Sequence, residues 1–435
     1  MVLAAAHLGY DPRTVPIGGG AQVAIHLLRH WAESAPFSLT VLGSGPMPPA
    51  LAQGRVRYQH IPWHLPGWSG ALTELGVRGY ASFSRQFERG VTEFLRRRAC
   101  EVDPTGVCVV HNDICEAGDF RAIAGFGYRQ VAIFHVDVVD YAANIYLGGK
   151  VSAPALARLW RGVARLRARR LFPDVVRLIL EKQEACARFC QLLVVPSEQM
   201  AQVLLSSYPW LSPGRVLVVP WGAIVDREVP GVEEEKEGIK EEYRLDADTP
   251  VLISLSRISP EKGQDLFLKA LCLWERRRGE RLVAFICGAP AFIHGKSYLR
   301  RLLRLARRLR RVEVHFPGYV SGARKAAFLE LSDLYVFPSR HESYGLTLVE
   351  ALAAGLPVLT TDHRSARDLV RPQFGLVVRK TPEDLYRGLV ELLKGRERLP
   401  AMGAQARAFA RDLSFRKAAE RLTQAIAGSY NDREG

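Results

Sequence analysis

The feature that most restricts this chain is a repeated rhythm of short apolar run, loop and longer helical stretch. Apolar runs stand at Leu39–Leu42, Val107–Val110, Val131–Phe134, Leu192–Val195 and Val216–Val219. They resume at Val251–Leu255, Val283–Cys287, Val312–Phe316, Leu334–Phe337 and Val358–Thr360. A strand that is apolar at successive positions must be covered on both faces, so runs of this kind separated by helices predict parallel strands in α/β layers. The rhythm breaks between Asp226 and Pro250, where six glutamates fall within Glu233–Glu242 and no strand can form. That segment reads as a linker and the solvated first helix of a second domain. Two sheets flanking one linker predict two Rossmann-like, doubly wound α/β domains, residues 1–226 and 227–412. A helix and tail follow at 413–435, with Phe415, Ala418, Ala419, Leu422 and Ile426 on one face, placed so that it can cross back to the first domain. Sheets of this type bind ligands beyond the carboxyl ends of their strands, so a cleft between the domains is the expected site.

A length of 435 residues exceeds what one core supports, and 48% hydrophobic with 24% charged residues excludes a disordered chain. The seven cysteines are odd in number and form no C-x-x-C pair. Cys186 and Cys190 lie one helical turn apart and read as core packing. A reducing, cytoplasmic setting with free thiols follows. The opening MVLAAAHLGY has no charged leader and reads as a first strand, not a signal peptide. No run approaches the ~20 apolar residues of a membrane-spanning helix. The formal net charge of +15 fits nucleic acid, an anionic membrane, a phosphorylated substrate or a plain surface bias.

Chemistry is written most densely in SDLYVFPSRHESYGLTLVEALAAGLPVLTTD, Ser332 to Asp362. A strand ends at Pro338, a loop follows, and a helix runs from Leu346 to about Ala354, stopped by Gly355 and Pro357. The amides of Ser343, Tyr344, Gly345 and Leu346, with Thr347 behind them, then form a helix N-terminus at the carboxyl edge of a parallel sheet, which is an anion site. Glu342 and Glu350 flank it. Two glutamates eight apart are usually surface acids, but carboxylates beside a phosphate site need a reason, and they are the usual acceptors for sugar hydroxyls. At the other end of the same domain, LISLSRISPEKGQDLFLKAL places Arg257 and Lys262 just past a first strand, where two cations can meet a diphosphate. Pro16–Leu28 is a glycine loop opening a helix. His135 and Asp137 follow one buried strand, and His111, Asn112 and Asp113 follow another, where they could line the same cleft.

These segments resemble the family 4 retaining glycosyltransferases, whose two glutamates are separated by seven residues before an EALAAGLPV-type helix and whose R-x-x-x-x-K-G element stands at Arg257–Gly263. The resemblance covers nearly the whole chain, densely in the second domain and thinly in the first, and Asn144–Leu180 matches nothing in it. It implies the GT-B fold, two Rossmann-like domains facing a central cleft. It implies that Glu350 binds the donor ribose and Glu342 the transferred sugar. Arg257 and Lys262 would then stabilise the leaving diphosphate without a metal, since no Asp-x-Asp element occupies a strand end. By the same resemblance Gly288, Gly318, Tyr319 and Val320 border the nucleobase, Gly19 and Gly20 approach the donor phosphates, and His135 stands beside the sugar. Asp137 would orient His135 or help position the acceptor.

The implied activity is retaining, metal-independent transfer of a hexose from a nucleotide sugar such as a UDP- or GDP-hexose to a hydroxyl of a glycan, lipid or small molecule. No cofactor beyond that substrate and no specific nucleic acid are implied. A GT-B epimerase would lack the paired glutamates, a phosphorylase would need a pyridoxal phosphate lysine, and a basic RNA- or membrane-binding module would need no sugar-nucleotide motif at all. An anionic membrane surface is a further partner to consider. Arg158, Arg161, Arg165, Arg167, Arg169, Arg170 and Arg177 crowd one window, with Leu156, Leu159, Trp160, Val163 and Leu166 as an interleaved apolar stripe. Leu299–Arg311 is similarly basic, but its leucines 299, 302, 303 and 309 read as core packing.

Overall fold

The computed structural model describes residues 1–10, 18–34, 37–51, 54–67, 72, 75–165, 172–223, 229–291 and 295–428, with the side chains of 145, 146, 164 and 165 left out. Two compact units result, Met1–Trp221 with Arg416–Gly435, and Gly222–Phe415.

The first unit is built on seven parallel strands: β1 (Val2–Ala4), β2 (Leu39–Gly43), β3 (Val56–His60), β4 (Cys108–His111), β5 (Arg129–Ile133), β6 (Leu192–Val195) and β7 (Val216–Val218), in the order β3-β2-β1-β4-β5-β6-β7. The opening residues are the interior strand β1, paired with β2 and β4, and all three of its residues are buried. β3 carries no apolar run: VRYQH alternates, and only Val56 is buried. It lies at the sheet edge, paired to β2 alone, so nothing requires both its faces to be apolar.

The second unit has six parallel strands, β8 (Val251–Leu255), β9 (Leu282–Cys287), β10 (Val312–Gly318), β11 (Leu334–Phe337), β12 (Val358–Thr361) and β13 (Gly375–Val378), ordered β10-β9-β8-β11-β12-β13. The unpatterned strand is again an edge one, β13, which is half-buried beyond Gly375. The glutamate-rich segment is the helix Val232–Tyr243, which buries only Ile239. Helices Gln264–Arg277, Gly295–Ala306 and Pro382–Lys394 contribute to the core over β8, β9, β11 and β12.

The end of the chain belongs to the first unit. Helix Phe415–Gly428 buries Ala418, Ala419, Leu422 and Ile426, and Thr423 Oγ1 accepts a 2.8 Å hydrogen bond from Trp31 Nε1 on helix Gly19–Ser34. Leu422 is completely buried. Its truncation to Ala leaves a cavity in a unit whose other elements all lie within the first 221 residues. Leu422→Ala should therefore cost about 2–4 kcal/mol in urea unfolding. Faster amide exchange should appear on helix Gly19–Ser34 and leave the second unit at wild-type protection.

Candidate functional site

In the second unit, two loops at the carboxyl ends of β8 and β11 are laced together. The turn Pro260–Lys262 ends at Gly263, whose φ of +67° suits glycine, and a Cβ there would collide with the Pro338 carbonyl. That close approach lets the Glu261 carbonyl accept from Arg340 N (2.8 Å) and His341 N (3.3 Å). Arg340 grips Asp265 with both guanidinium nitrogens (2.7 and 2.9 Å) and donates to Pro260 O (2.8 Å), while Tyr298 OH donates to Asp265 Oδ1 (2.6 Å). The product of this lacing is one short contact. Lys262 Nζ donates to Glu342 Oε2 at 2.5 Å, with both side chains about one-eighth exposed. Burial alone would raise the Glu342 carboxyl, but the Lys262 ammonium more than offsets it and holds the acid below its ordinary value.

The second motif glutamate has its own cation. Lys325, in the first turn of helix Gly322–Glu330, donates to Glu350 Oε1 at 3.0 Å. Tyr319 is 41% exposed, and its hydroxyl is raised first by burial, with Lys325 and Glu350 acting in opposite senses. Val320 is buried, and a Cβ at Gly318 would enter open space, although its φ of +82° suits glycine. The Gly318 carbonyl accepts from Gly288 N at 2.7 Å, and any side chain at Gly288 would strike the Ser256 carbonyl. Gly345, at φ +100°, caps helix Leu346–Ala353, whose first amides Leu346 and Thr347 precede any intrahelical acceptor. Tyr335 OH donates to Leu255 O (2.9 Å) and lies 3.0 Å from Thr347 Oγ1, tying this helix to β8. Tyr344 is buried, Ser343 is partly exposed, and Arg257 is exposed beyond β8, with its carbonyl taking Gln264 Nε2 at 2.8 Å.

Two histidines stand behind Glu342. His363 is buried, its Nε2 2.9 Å from Thr360 Oγ1 and its Nδ1 3.2 Å from Ser365 Oγ. Burial depresses it to about 3 and His341 to about 4, so both rings are neutral near pH 7.

In the first unit, His135 and Asn112 do meet. His135 Nε2 lies 3.2 Å from Asn112 Oδ1, and Asn112 Nδ2 donates to Gly20 O at 3.1 Å. Gly19 and Gly20 are already helical, and a Cβ on Gly20 would press into the His135 ring at 2.7 Å, so this position must be small. Burial lowers His135 to about 4. Asp113 Oδ1 accepts from Cys115 N at 2.8 Å, and burial with the nearby Glu116 carboxylate pushes Asp113 up to about 7. Glu116 Oε1 is met by His7 Nε2 (3.0 Å) and Tyr80 OH (3.1 Å), and His7 holds its carboxyl below the ordinary value against the effect of burial.

Burial places several of the expected residues inside the first unit. His111, the last residue of β4, is buried edge-on to Phe120 at 4.8 Å, with Nε2 3.1 Å from Gln130 Oε1. Asp137 is buried as a helix cap, its Oδ1 taking Asp140 N (2.9 Å) and Gln183 Nε2 (2.9 Å). Trp160 does not face outward. It is 3% exposed against Val139, Ala153, Leu180 and Val203, because the 3.6-residue turn of helix Ala153–Arg165 carries Leu156 and Trp160 inward and leaves Leu159 at 62%. Arg161 is engaged by Ser207 O and the Trp210 ring, and Arg177 by Asp174. Arg158 is exposed, while Leu166, Arg167, Arg169, Arg170 and the side chain of Arg165 lie outside what is described.

Sequence reasoning missed Lys325, Asp265, Arg340, His341 and His363 in the second unit, and His7, Glu116 and Lys182 in the first. Lys182 is buried and clamps the loop after β4, donating to Cys115 O and Ala117 O (3.0 Å each) and pairing with Glu88 at 2.9 Å. None of these carries a local pattern; apart from His363, held by Thr360 and Ser365, each makes a contact to a residue far away in sequence. Among the described residues no group of three or more His, Cys, Asp or Glu side chains is arranged to hold a metal ion. Nor is any helix there long and apolar enough to cross a membrane.

Residues 235–409, nearly all of the second unit, match the family described as glycosyl transferases group 1. Among individual proteins, the chain is 37% identical over 171 residues to D-inositol 3-phosphate glycosyltransferase 2 of Catenulispora acidiphila, covering 38% of this chain and 39% of that one. It is 31% identical over 218 residues to a GDP-mannose-dependent monoacylated alpha-(1-6)-phosphatidylinositol monomannoside mannosyltransferase of Corynebacterium glutamicum, covering 48% and 55%. The chain thus spans about half the length, or less, of these curated relatives. Solved structures align along almost the whole chain. Sucrose-phosphate synthase of Thermosynechococcus elongatus gives a TM-score of 0.70 at 18% identity, covering 99% of both chains. HepE of Anabaena in complex with UDP and glucose gives 0.68 at 16%, covering 98% and 99%. The two parallel-sheet α/β units are therefore those of the GT-B fold.

Two outcomes follow from the geometry. In a double-mutant cycle in urea, Lys262→Met should destabilise the second unit by about 3 kcal/mol, because it strands a buried carboxylate, and adding Glu342→Gln should recover most of the loss. The second concerns acid. His363 takes up its proton near pH 6.5 when unfolded but only near 3 when folded, so between those values the unfolded state binds more protons and stability is lost as the pH is lowered. Relative to wild type, His363→Asn should flatten the pH dependence of unfolding between pH 6 and 4 by about one proton, read from the slope of stability against pH.

Proposed function

We propose that this chain is a retaining, metal-independent glycosyltransferase of the family 4 type, moving a hexose from a nucleoside diphosphate to a hydroxyl of an inositol-containing or lipid acceptor. The observation that carries the reading is the pairing of both motif glutamates with lysines at one sheet edge, Glu342 with Lys262 and Glu350 with Lys325. A bare carboxylate there would repel a diphosphate. Neutralised by lysine, each can instead accept hydroxyl hydrogen bonds.

In this reading Glu350 takes the ribose hydroxyls, Glu342 the hydroxyls of the transferred sugar, and the amides from Ser343 to Thr347 a phosphate. Gly288, Gly318, Tyr319 and Val320 border the base. Arg257 and Lys262 stabilise charge that grows on the diphosphate as the sugar C1–oxygen bond breaks. The acceptor oxygen bonds to C1 on the same face, and its proton passes to a diphosphate oxygen. In the first unit, neutral His135, set by Asn112, would contact the sugar or acceptor, with Gly19, Gly20, Asp113 and Glu116 nearby in sequence or structure. The names of the relatives support the acceptor class: one acts on D-inositol 3-phosphate, another on a phosphatidylinositol mannoside with GDP-mannose. GDP-mannose is accordingly the first donor to try. Seven free cysteines fit a reducing, cytoplasmic setting.

A thermal-shift screen of ADP, GDP and UDP should single out one base, with GDP expected. Glu350→Gln should weaken that nucleotide by about 1–3 kcal/mol. Arg257→Ala should lower turnover while the Michaelis constant stays near wild type. Product NMR should give a retained anomeric configuration in the presence of EDTA. An inverted product, or activity abolished by EDTA and restored by Mg²⁺, would overturn the corresponding part of the mechanism.

A further inference from the structure

One stretch of the second unit is charged in a single sense. Residues 281–312 contain nine Lys and Arg (Arg281, Lys296, Arg300, Arg301, Arg304, Arg307, Arg308, Arg310 and Arg311) and no Asp or Glu. Helix Gly295–Ala306 lies within it. Its inward side packs as expected, with Tyr298 and Leu302 buried and Leu299, Leu305, Ala306 and Leu309 against the core. Leu303, expected in that core, is instead 37% exposed. It sits with Lys296, Arg300, Arg304 and Arg307 at spacings of four, three, one and three, which is one helical face, and all five are exposed.

That face is left electrostatically unrelieved. Like charges meet at Lys296/Arg300 and Arg300/Arg304, each an unfavourable pair on a helix, and Arg307 and Arg308 follow in the turn just past its end. Among the described residues no carboxylate lies within 4.0 Å of Lys296, Arg300, Arg304, Arg307 or Arg308. The acids that could have served are committed elsewhere. Glu275 accepts from the backbone amides of Arg310, Arg311 and Val312, and Asp265 is held by Arg340 and Tyr298, reaching Arg301 only at 3.9 Å. The helix Val232–Tyr243 in the same unit behaves oppositely, its acids paired to Lys236, Lys240 and Arg324.

We propose that this face of the second unit is a docking surface for an anionic lipid bilayer. The cations supply attraction to lipid phosphates, and the long arginine stems can lie along the headgroup boundary beside Leu303. The aliphatic centre of the stripe favours a bilayer over a nucleic acid. Single strands are held by stacking on exposed aromatic rings, and the exposed large side chain on this helix is a leucine. The inference goes beyond the proposed reaction and does not need it.

Vesicle flotation of the full chain tests it. The protein should float with mixed phosphatidylcholine–phosphatidylglycerol vesicles, stay in the bottom fraction with phosphatidylcholine alone, and bind less as salt rises. Arg300→Glu, Arg304→Glu and Arg307→Glu together should weaken vesicle binding about a hundredfold, given the usual contribution per basic residue. The same three changed to Gln give a milder variant should the Glu form not fold, with a smaller loss expected. Leu303→Asp should also reduce binding. All should keep the wild-type thermal shift with the preferred nucleotide, which separates failure here from failure of the proposed function. Equal recovery with both vesicle types, or undiminished binding by the triple variants, would overturn the proposal. So would displacement from vesicles by an RNA oligonucleotide whose own binding is indifferent to Leu303→Asp.

Discussion

The contact on which the second unit's site depends is the one between Lys262 and Glu342. Bringing a carboxylate and an ammonium out of water is costly for each alone, and only close pairing makes it tolerable. Here the pair forms at 2.5 Å between residues eighty positions apart. It forms because the turn at Pro260–Gly263 and the loop after β11 are bound to each other by backbone bonds to Glu261 O and by the Arg340–Asp265 clamp. The absence of a side chain at Gly263 permits the approach. Loosening any of these would leave a buried charge without its counterion, so geometry and electrostatics are stabilised together.

A similar economy recurs around it. Glu350 is countered by Lys325 from a third element. The histidines nearest Glu342 are kept neutral by burial, which adds no competing positive charge to the Lys262 ammonium. In the first unit Lys182 ties down the loop after β4, and the same loop presents Asn112 to His135 and Glu116 to His7. Rigid scaffolding under short polar loops is what a site needs if its groups are to be in place before a ligand arrives.

Much of this was legible in the chain itself. Ten of the thirteen strands are apolar runs, and β1 was betrayed by its position before a glycine loop. The two strands that left no mark, β3 and β13, lie at sheet edges, where half a strand's surface need not be apolar. Errors of another kind concern side chains whose direction depends on helical phase or on the neighbouring layer. Trp160 and Leu303 exchanged their expected places, inward and outward, and His111 turned into the core. An amphipathic pattern states that a helix has two faces, but an interleaved stretch of Leu, Arg and Trp does not state which one meets the sheet.

What the sequence by itself determined is the class of architecture and the positions of Arg257, Lys262, Glu342 and Glu350, because periodicity of apolar residues and the chemistry of strand-end loops are local properties. Which lysine meets which glutamate, and that Asp265, Arg340, Lys325 and Lys182 take part at all, was decided only by tertiary structure. Those pairings join residues twenty-five to ninety-four positions apart, and a charged side chain carries no sign of its partner until the fold removes both from water.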